Sequence, residues 1–185
     1  MNKAVISKEA ILTASKEIVA QKGINAINMR DIASRCGVAV GSVYNYFPSK
    51  EDLIVATIAS IWIEIMNEAT VYEPGQSFCE SVMSLYTCVK NENEKYPYFI
   101  GVHSGSLEKS KRSKARKAMN EYFGMIKAEL LKSLCNDKNV NNAFFSEKCT
   151  KESFVDFVFS NIIALLIKQD SNCDTLLEII KKTIY

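Results

Sequence analysis

Side chains that can hydrogen-bond to a polyanion are concentrated in the segment GVAVGSVYNYFPSKEDL, residues 37–53. Six of its residues are predicted to share the exposed side of one short helix: Val40, Gly41, Ser42, Tyr44, Asn45 and Tyr46. The tyrosine hydroxyls are long enough to reach phosphates, while Ser42 can donate to or accept from a base edge. Gly41 allows close backbone approach, and Val40 fits a thymine methyl group. These residue types indicate recognition of a nucleic acid rather than covalent chemistry.

The sequence offers no group of residues typical of catalysis or metal binding. His103 is the single histidine, and no second histidine or carboxylate cluster accompanies it. The six cysteines show neither a CxxC nor a paired Cys/His spacing, which favours buried or idle thiols over disulfides, zinc binding or a redox sensor. We therefore expect no catalytic residue, no metal and no cofactor, and a protein that is not an enzyme.

Three predicted helices at the N-terminus must position the polar segment. The apolar spacing in SKEAILTASKEIVAQKG predicts a first helix that begins after Ser7 and ends at Gly23. In NMRDIASRCG, Asn28 is a good N-cap, and the predicted second helix ends at Gly37. A third helix is predicted to begin near Ala39, within three or four residues of the second. Two short helices joined this tightly are typical of a helix-turn-helix.

The predicted third helix has an apolar inner face. Val43 and Phe47 lie four residues apart and are expected to pack inward on the first two helices. In a helix-turn-helix, the N-terminal residues of this helix lie against base edges in the major groove. Pro48 ends the helix and Ser49 caps the next one, so Lys50 lies at a helix N-terminus, where a phosphate is favoured.

Each polar or basic residue of this region also has a structural interpretation. Tyr44 and Tyr46 could be half-buried packing residues, because aromatic side chains at helical spacing usually belong to a core. Arg30 and Lys50 could be solvated charges on exposed faces. The order of the features favours nucleic-acid binding: a capped helix, a tight turn, a short helix with a polar face, and a capped basic N-terminus.

Composition and charge are those of a globular protein with a basic N-terminal part. The chain has 185 residues, of which 48% are hydrophobic and 24% charged. The first 50 residues carry seven basic and three acidic side chains, although the net charge of the whole chain is only +2. Neither a signal-peptide run nor eighteen consecutive apolar residues is present, so we expect a cytoplasmic protein without a membrane partner.

Residues 11–53, ILTASKEIVAQKGINAINMRDIASRCGVAVGSVYNYFPSKEDL, resemble the DNA-binding region of the TetR family of bacterial transcriptional regulators. The resemblance rests on the Ile-Val pair before Gly23 and on RDIA, GV, GSVYNYF and SKEDL. It implies a homodimer that binds a palindromic double-stranded DNA operator and represses a neighbouring gene until a small molecule binds the body. Arg30 and Lys50 match phosphate-side positions of the family, and Val40, Gly41, Ser42, Tyr44, Asn45 and Tyr46 match its recognition helix.

The sequence departs from the family pattern at three positions. Ala39 replaces a frequent serine that caps the recognition helix, a loss of roughly 1 kcal/mol. Val40 replaces a polar or basic residue, so the base that it reads is not inferred from relatives. Ile27 replaces a frequent threonine, but Asn28 still supplies the cap of the second helix.

The predicted fold is all-α, with about nine helices in total. Residues 1–53 are expected to form the three-helix DNA-binding domain, and residues 54–185 a helical ligand-binding and dimerisation domain. Near the C-terminus, apolar side chains form a surface wider than one buried stripe needs: Phe154, Phe157, Val158, Ile162, Leu165 and Leu166. They form either the hydrophobic centre of the monomer or part of a twofold interface, as the resemblance implies.

A second apolar set lies between the helix that leaves SKEDL and the terminal helices. Its members are typical of either a core or a pocket for an apolar or amphipathic ligand: Trp62, Met66, Met83, Tyr86, Phe99, His103, Tyr122 and Phe123. The basic run KSKRSKARK, residues 109–117, is interpreted as a solvated face rather than a second DNA contact.

Taken together, the residues and the resemblance favour a repressor that an unidentified small-molecule effector releases from its operator. The alternative is a helical protein-interaction module without specific operator binding.

Overall fold

The computed structural model describes residues 6–68, 73–96 and 112–185, except for the side chains of residues 112–116, 118 and 119. In these ranges it contains eight α-helices and no β-strand beyond an isolated bridge between Ser146 and Cys149. The predicted all-α class is confirmed, and the helix count is close to the nine expected. None of the described helices is both long and apolar enough to cross a membrane.

The helices follow the predicted order along the chain. The part of the chain that the structure describes also contains two short 3₁₀ helices, at Ile24–Ala26 and at Asn142–Phe144. The α-helices are α1 Lys8–Lys22, α2 Met29–Arg35, α3 Val40–Tyr46, α4 Lys50–Glu68, α5 Phe78–Lys95, α6 Arg112–Asn136, α7 Lys151–Lys168 and α8 Asp174–Ile184.

Local hydrogen bonds set the limits of the first two helices, as predicted. The Ser7 hydroxyl accepts the N–H of Ala10 at 3.1 Å and caps α1. The Asn28 side chain accepts the N–H of Arg30 at 2.9 Å and caps α2. Gly23 follows α1 with a φ of 77°, a backbone conformation that glycine adopts without strain.

The turn between α2 and α3 is a Schellman motif. Gly37 has a φ of 66°, in the left-handed region, and its N–H donates to the Ser34 carbonyl at 3.1 Å. The N–H of Val38 donates to the Ala33 carbonyl at 3.0 Å. Because only glycine adopts this conformation easily, Gly37 fixes the point at which the chain leaves α2 and turns toward α3.

A reciprocal pair of hydrogen bonds starts α4. The N–H of Asp52 donates to the Ser49 hydroxyl at 3.1 Å, and that hydroxyl donates to the Asp52 carboxylate at 2.7 Å. The predicted cap of α4 is therefore present. At the start of α3, by contrast, Ala39 makes no side-chain capping bond, as expected from its methyl side chain.

The described residues form two compact units. Of these, one unit contains residues 6–64, 93–96 and 112–121, and the other contains residues 65–68, 73–92 and 122–185. Helix α4 continues without a break across the predicted domain boundary at residues 53 and 54, and that boundary stays a prediction.

Each unit has its own buried apolar side chains. In the first unit these come from α1, α2, α3 and the first half of α4, and they include Ile11, Ile18, Ile32, Val43, Phe47, Leu53 and Ile58. In the second unit they come from α5, α6, α7 and α8, and they include Phe78, Val82, Leu130, Val158, Ile162 and Ile180. The inward packing predicted for Val43 and Phe47 is thus observed.

A buried carboxylate holds together three parts of the second unit. Asp137 accepts the N–H of Phe78, the first residue of α5, at 2.8 Å, and the N–H of Asn139 at 3.0 Å. The hydroxyl of Tyr185 also donates to it. Partial burial opposes ionisation of Asp137, but these hydrogen bonds outweigh burial and lower its pKa. Asp137 is therefore a charged anchor for the N-terminus of α5.

Candidate nucleic-acid interface

Helix α3 has a buried face and an exposed face. Val43 and Phe47 are 0% and 3% exposed and anchor the helix to its unit. On the other side Val40 is 37% exposed and Tyr44 is 46% exposed. Asn45 is exposed as well. Since the outer face carries both apolar and hydrogen-bonding groups and no described part of the unit buries it, it is suited to contact base edges.

The first turn of α3 has room for another molecule. Gly41 is exposed. Apart from its two chain neighbours and the backbone of its own helix, no atom of the described structure lies within 4 Å of the position that a Cβ would occupy there. The fold itself therefore does not require glycine at this position. Ser42, the next residue, is half-buried. A small residue on an open helix turn permits the close approach that the sequence predicts for Gly41.

Two of the predicted phosphate-side residues lie at helix N-termini. Arg30 is exposed in the first turn of α2, and its N–H donates to the Asn28 cap. Lys50 is the first residue of α4 and is half-buried. The positive end of each helix dipole reinforces the charge of these side chains, so both positions favour an anion.

Tyr46 makes a contact that the sequence did not reveal. Its ring is 42% exposed, but its hydroxyl donates to the backbone carbonyl of Ile6 at 2.6 Å. The contact links the last residue of α3 to the residue that precedes the Ser7 cap of α1. The phosphate contact predicted for Tyr46 stays a prediction.

The same corner contains Lys8, which sequence reasoning did not select. Its ammonium nitrogen lies 5.8 Å from the centre of the Phe47 ring, within the range of a cation–π interaction. Another basic residue, Arg35, is bonded within the unit, because its guanidinium donates to Glu17 at 3.3 Å and to Gln21 at 3.2 Å. In the sequence, the only indication of this contact was a single lysine in the first turn of α1.

A polar network in the first unit joins α1, α4 and the end of α5. The Glu64 carboxylate accepts a hydrogen bond from Lys16, and the Tyr96 hydroxyl donates to it at 3.3 Å. The ammonium of Lys95 lies 3.6 Å from the same carboxylate. Partial burial opposes ionisation of Glu64, but its cationic and hydroxyl partners outweigh it and lower the pKa below 4.5.

The residues predicted to bind a ligand differ in exposure. Trp62 and Tyr86 are buried, while Met66, Tyr122 and Phe123 are half-buried and Met83 is exposed. Phe99 and His103 lie outside the described residues. Two members have defined partners in the second unit. The Tyr86 hydroxyl donates to the Asp170 carbonyl at 2.7 Å, and the Phe123 ring packs edge-on against Phe159 at 4.9 Å.

A surface pocket of about 240 Å³ lies beside the loop between α7 and α8 in the second unit. It is lined by Leu165, Leu176 and residues 170–173, together with Thr175. None of the predicted ligand residues lines this pocket. The assignment of an effector site therefore stays a prediction.

The predicted interface residues of α7 separate into two groups. Phe154, Val158, Ile162 and Leu166 are buried, and Leu165 is half-buried. Phe157, in contrast, is 52% exposed. On α8 the structure adds Ile179, which is 48% exposed and which sequence reasoning did not select. Exposed apolar side chains on both terminal helices leave a surface that a second copy could cover.

The remaining candidate chemistry is limited. The six cysteines are free thiols, and burial raises the pKa of Cys88 to about 11, which disfavours the reactive thiolate. Among the described residues, no group of three or more metal-ligating side chains comes together. The basic run at residues 109–117 falls outside the described side chains except for Lys117, which is exposed.

Helices α2 and α3, with the Schellman turn at Gly37 and an exposed polar face on α3, define a helix-turn-helix protein. Residues 11–57 match the family model described as bacterial regulatory proteins, tetR family. The helix-turn-helix repressor KstR of Rhodococcus jostii is 42% identical over 52 residues, which is 28% of this chain. That match spans only 24% of the length of KstR.

Longer comparisons cover nearly the whole chain. The uncharacterized HTH-type transcriptional regulator YvdT of Bacillus subtilis is 23% identical over 182 residues, covering 96% of this chain and 90% of YvdT. The structure of the regulator FadR from Bacillus subtilis, in complex with stearoyl-CoA, superposes with a TM-score of 0.68 at 16% identity. This superposition covers 97% of this chain and 100% of FadR. Residues 11–57 are therefore similar to the tetR family of bacterial regulatory proteins, and the chain shares its fold with the solved regulator FadR.

Proposed function

We propose that this protein is a ligand-responsive transcriptional repressor that binds a palindromic operator as a homodimer in the cytoplasm. The observation that carries the proposal is α3, which is anchored by Val43 and Phe47 and exposes a polar face with an open first turn. A helix presented in this way fits the major groove of double-stranded DNA.

Specific and nonspecific contacts come from different parts of the surface. Val40, Gly41 and Ser42 in the first turn of α3 read base edges, because that end of a recognition helix enters the groove. Tyr44, Asn45 and Tyr46 lie toward the walls of the groove. Arg30 and Lys50 bind phosphates from the N-termini of α2 and α4, so they position the helix without reading sequence.

A homodimer supplies the second recognition helix that a palindrome needs. Two half-sites one DNA turn apart require recognition helices about 34–36 Å apart. Phe157 on α7 and Ile179 on α8 are among the exposed apolar side chains that support a twofold interface through the terminal helices. Phe154, Val158, Ile162 and Leu166 then form the core beneath it, and Leu165 lies at its margin.

A small apolar or amphipathic molecule is the proposed effector. Supporting residues in the second unit are Met66, Tyr122 and Phe123, which are half-buried, and the related FadR structure contains stearoyl-CoA. The effector lowers DNA affinity by binding better to a shape in which the two recognition helices no longer match the half-sites.

Selection of bound sequences from random duplex DNA tests the proposal. The purified protein is expected to enrich one inverted repeat, since two identical helices read the two half-sites. A Tyr44→Ala variant should bind the selected duplex more weakly while folding normally. Failure of the wild-type protein to enrich any sequence would show that α3 does not read DNA.

A further inference from the structure

We propose that Lys8, at the start of α1, contacts a DNA phosphate beside the recognition helix, and that Tyr46 is the positioning residue that brings it there. This inference rests on the proposed function. It assigns a DNA contact outside α2, α3 and the N-terminus of α4, and it gives Tyr46 a role that differs from the direct phosphate contact predicted for it.

The first step is the attachment of α1 to the recognition helix. The Tyr46 hydroxyl donates to the Ile6 carbonyl at 2.6 Å, across 40 positions of sequence. Ile6 immediately precedes Ser7, whose hydroxyl caps α1. The last residue of α3 is therefore hydrogen-bonded directly to the start of α1, and a change at one affects the position of the other.

The second step is the placement of the Lys8 charge. Its ammonium nitrogen is 5.8 Å from the centre of the Phe47 ring, while the side chain of Phe47 is only 3% exposed. Lys8 itself is exposed. A cation–π contact at the surface contributes about 0.5–1 kcal/mol, enough to favour one side-chain direction without neutralising the charge. The ammonium group is thus held at the end of α3 and remains available to an anion.

The surrounding charges suit a phosphate diester. Lys50 follows Phe47 by three residues, so two lysines flank the junction of α3 and α4. A compact ammonium group binds a phosphate as a point charge and carries no base preference.

The salt dependence of DNA binding separates this role from a purely structural one. Each phosphate contact contributes about 0.9 to the slope of log affinity against log salt concentration. Lys8→Gln is expected to reduce that slope by about 1.8, because each protomer of the proposed homodimer loses one contact. It should weaken binding to a selected duplex and to an unrelated duplex by the same factor, about threefold to tenfold. Lys8→Arg should retain the slope.

Lys22→Gln is the matched control, since Lys22 is exposed at the other end of the same helix. It should leave both affinity and slope unchanged. Tyr46→Phe removes only the hydroxyl, and should weaken DNA binding in the wild-type background but add nothing in the Lys8→Gln background. Fluorescence anisotropy with labelled duplexes measures the DNA affinity of all six proteins, including the Lys8→Gln/Tyr46→Phe double variant, and circular dichroism checks their folding.

Two results would overturn the inference. If folded Lys8→Gln shows the same salt slope as the wild type, Lys8 does not contact a phosphate. If the loss of DNA affinity caused by Tyr46→Phe adds fully to the loss caused by Lys8→Gln, Tyr46 does not position Lys8. Both results presuppose a wild-type protein that binds DNA. If the wild-type protein shows no salt-dependent binding to any duplex, the proposed function fails, and this inference fails with it.

Discussion

Replacing Glu64 by glutamine should destabilise the first unit in a pH-dependent manner. Glu64 lies on α4 and accepts a hydrogen bond from Lys16 of α1, and the side chains are 31% and 17% exposed, respectively. The Tyr96 hydroxyl donates a hydrogen bond to the same carboxylate, and the Lys95 ammonium forms an ion pair with it. The substitution preserves the shape and one acceptor but removes the negative charge.

The magnitude follows from the partial burial of this pair. Hydrogen bonds to charged groups contribute about 1.5–3 kcal/mol, and fully exposed ion pairs only about 0.2–1 kcal/mol. Glu64 lies between these cases, so we expect Glu64→Gln to lower the free energy of unfolding by about 1–1.5 kcal/mol at neutral pH.

The pH dependence follows from the lowered pKa of Glu64. Because its folded-state pKa lies below the ordinary value of 4.5, the charge stabilises the fold fully above that value. The contribution disappears as pH falls through the folded-state pKa and Glu64 becomes protonated. The difference between wild type and Glu64→Gln should therefore be fully present at pH 7 and smaller at about pH 3, below the ordinary pKa of 4.5.

Urea unfolding measured through tryptophan fluorescence provides the assay. Trp62 is the single tryptophan, is fully buried, and lies two residues before Glu64 on α4. Glu17→Gln is the control, because the Glu17–Arg35 pair is longer, at 3.3 Å, and Glu17 is 56% exposed. A Glu64→Gln effect no larger than that of the control, or equal at both pH values, would refute the reasoning.

Three further predictions concern a helix cap, a buried carboxylate and an interface. Ala39→Ser should raise the free energy of unfolding by about 1 kcal/mol in calorimetry, because α3 lacks a side-chain cap; no gain would show that the serine side chain does not cap α3. Asp137→Ala should cost about 1–3 kcal/mol in urea unfolding, since it leaves the N–H of Phe78 without its acceptor; a neutral result would exclude Asp137 as an anchor. Phe157→Glu should convert the proposed dimer to a folded monomer in sedimentation velocity, because an exposed charge replaces an apolar contact; an unchanged dimer would place the interface elsewhere.

The first unit was predictable because its signals are local. Ser7, Asn28, Gly37 and Ser49 each act within a few residues of their own position, so their types alone indicate where helices begin and end. The burial of Val43 on α3 follows equally from helical spacing.

Contacts between distant parts of the sequence were not predictable. The Tyr46–Ile6 bond spans 40 positions and the Lys16–Glu64 pair spans 48, so no periodicity connects them. On α7 the apolar pattern included both Phe154, which is buried, and Phe157, which is exposed. Sequence alone does not show whether an apolar residue beside a buried stripe is covered by its own unit or by a second copy of the chain.

Equilibrium binding to DNA tests the central claim most directly. The measurement compares the affinity of the wild-type protein for its selected inverted repeat with that for a scrambled duplex of the same length and composition, from about 50 to 200 mM salt. We predict an affinity for the repeat at least about 10³-fold higher, with both affinities falling steeply as salt increases. Equal affinities for the two duplexes would contradict the claim that α3 reads an operator.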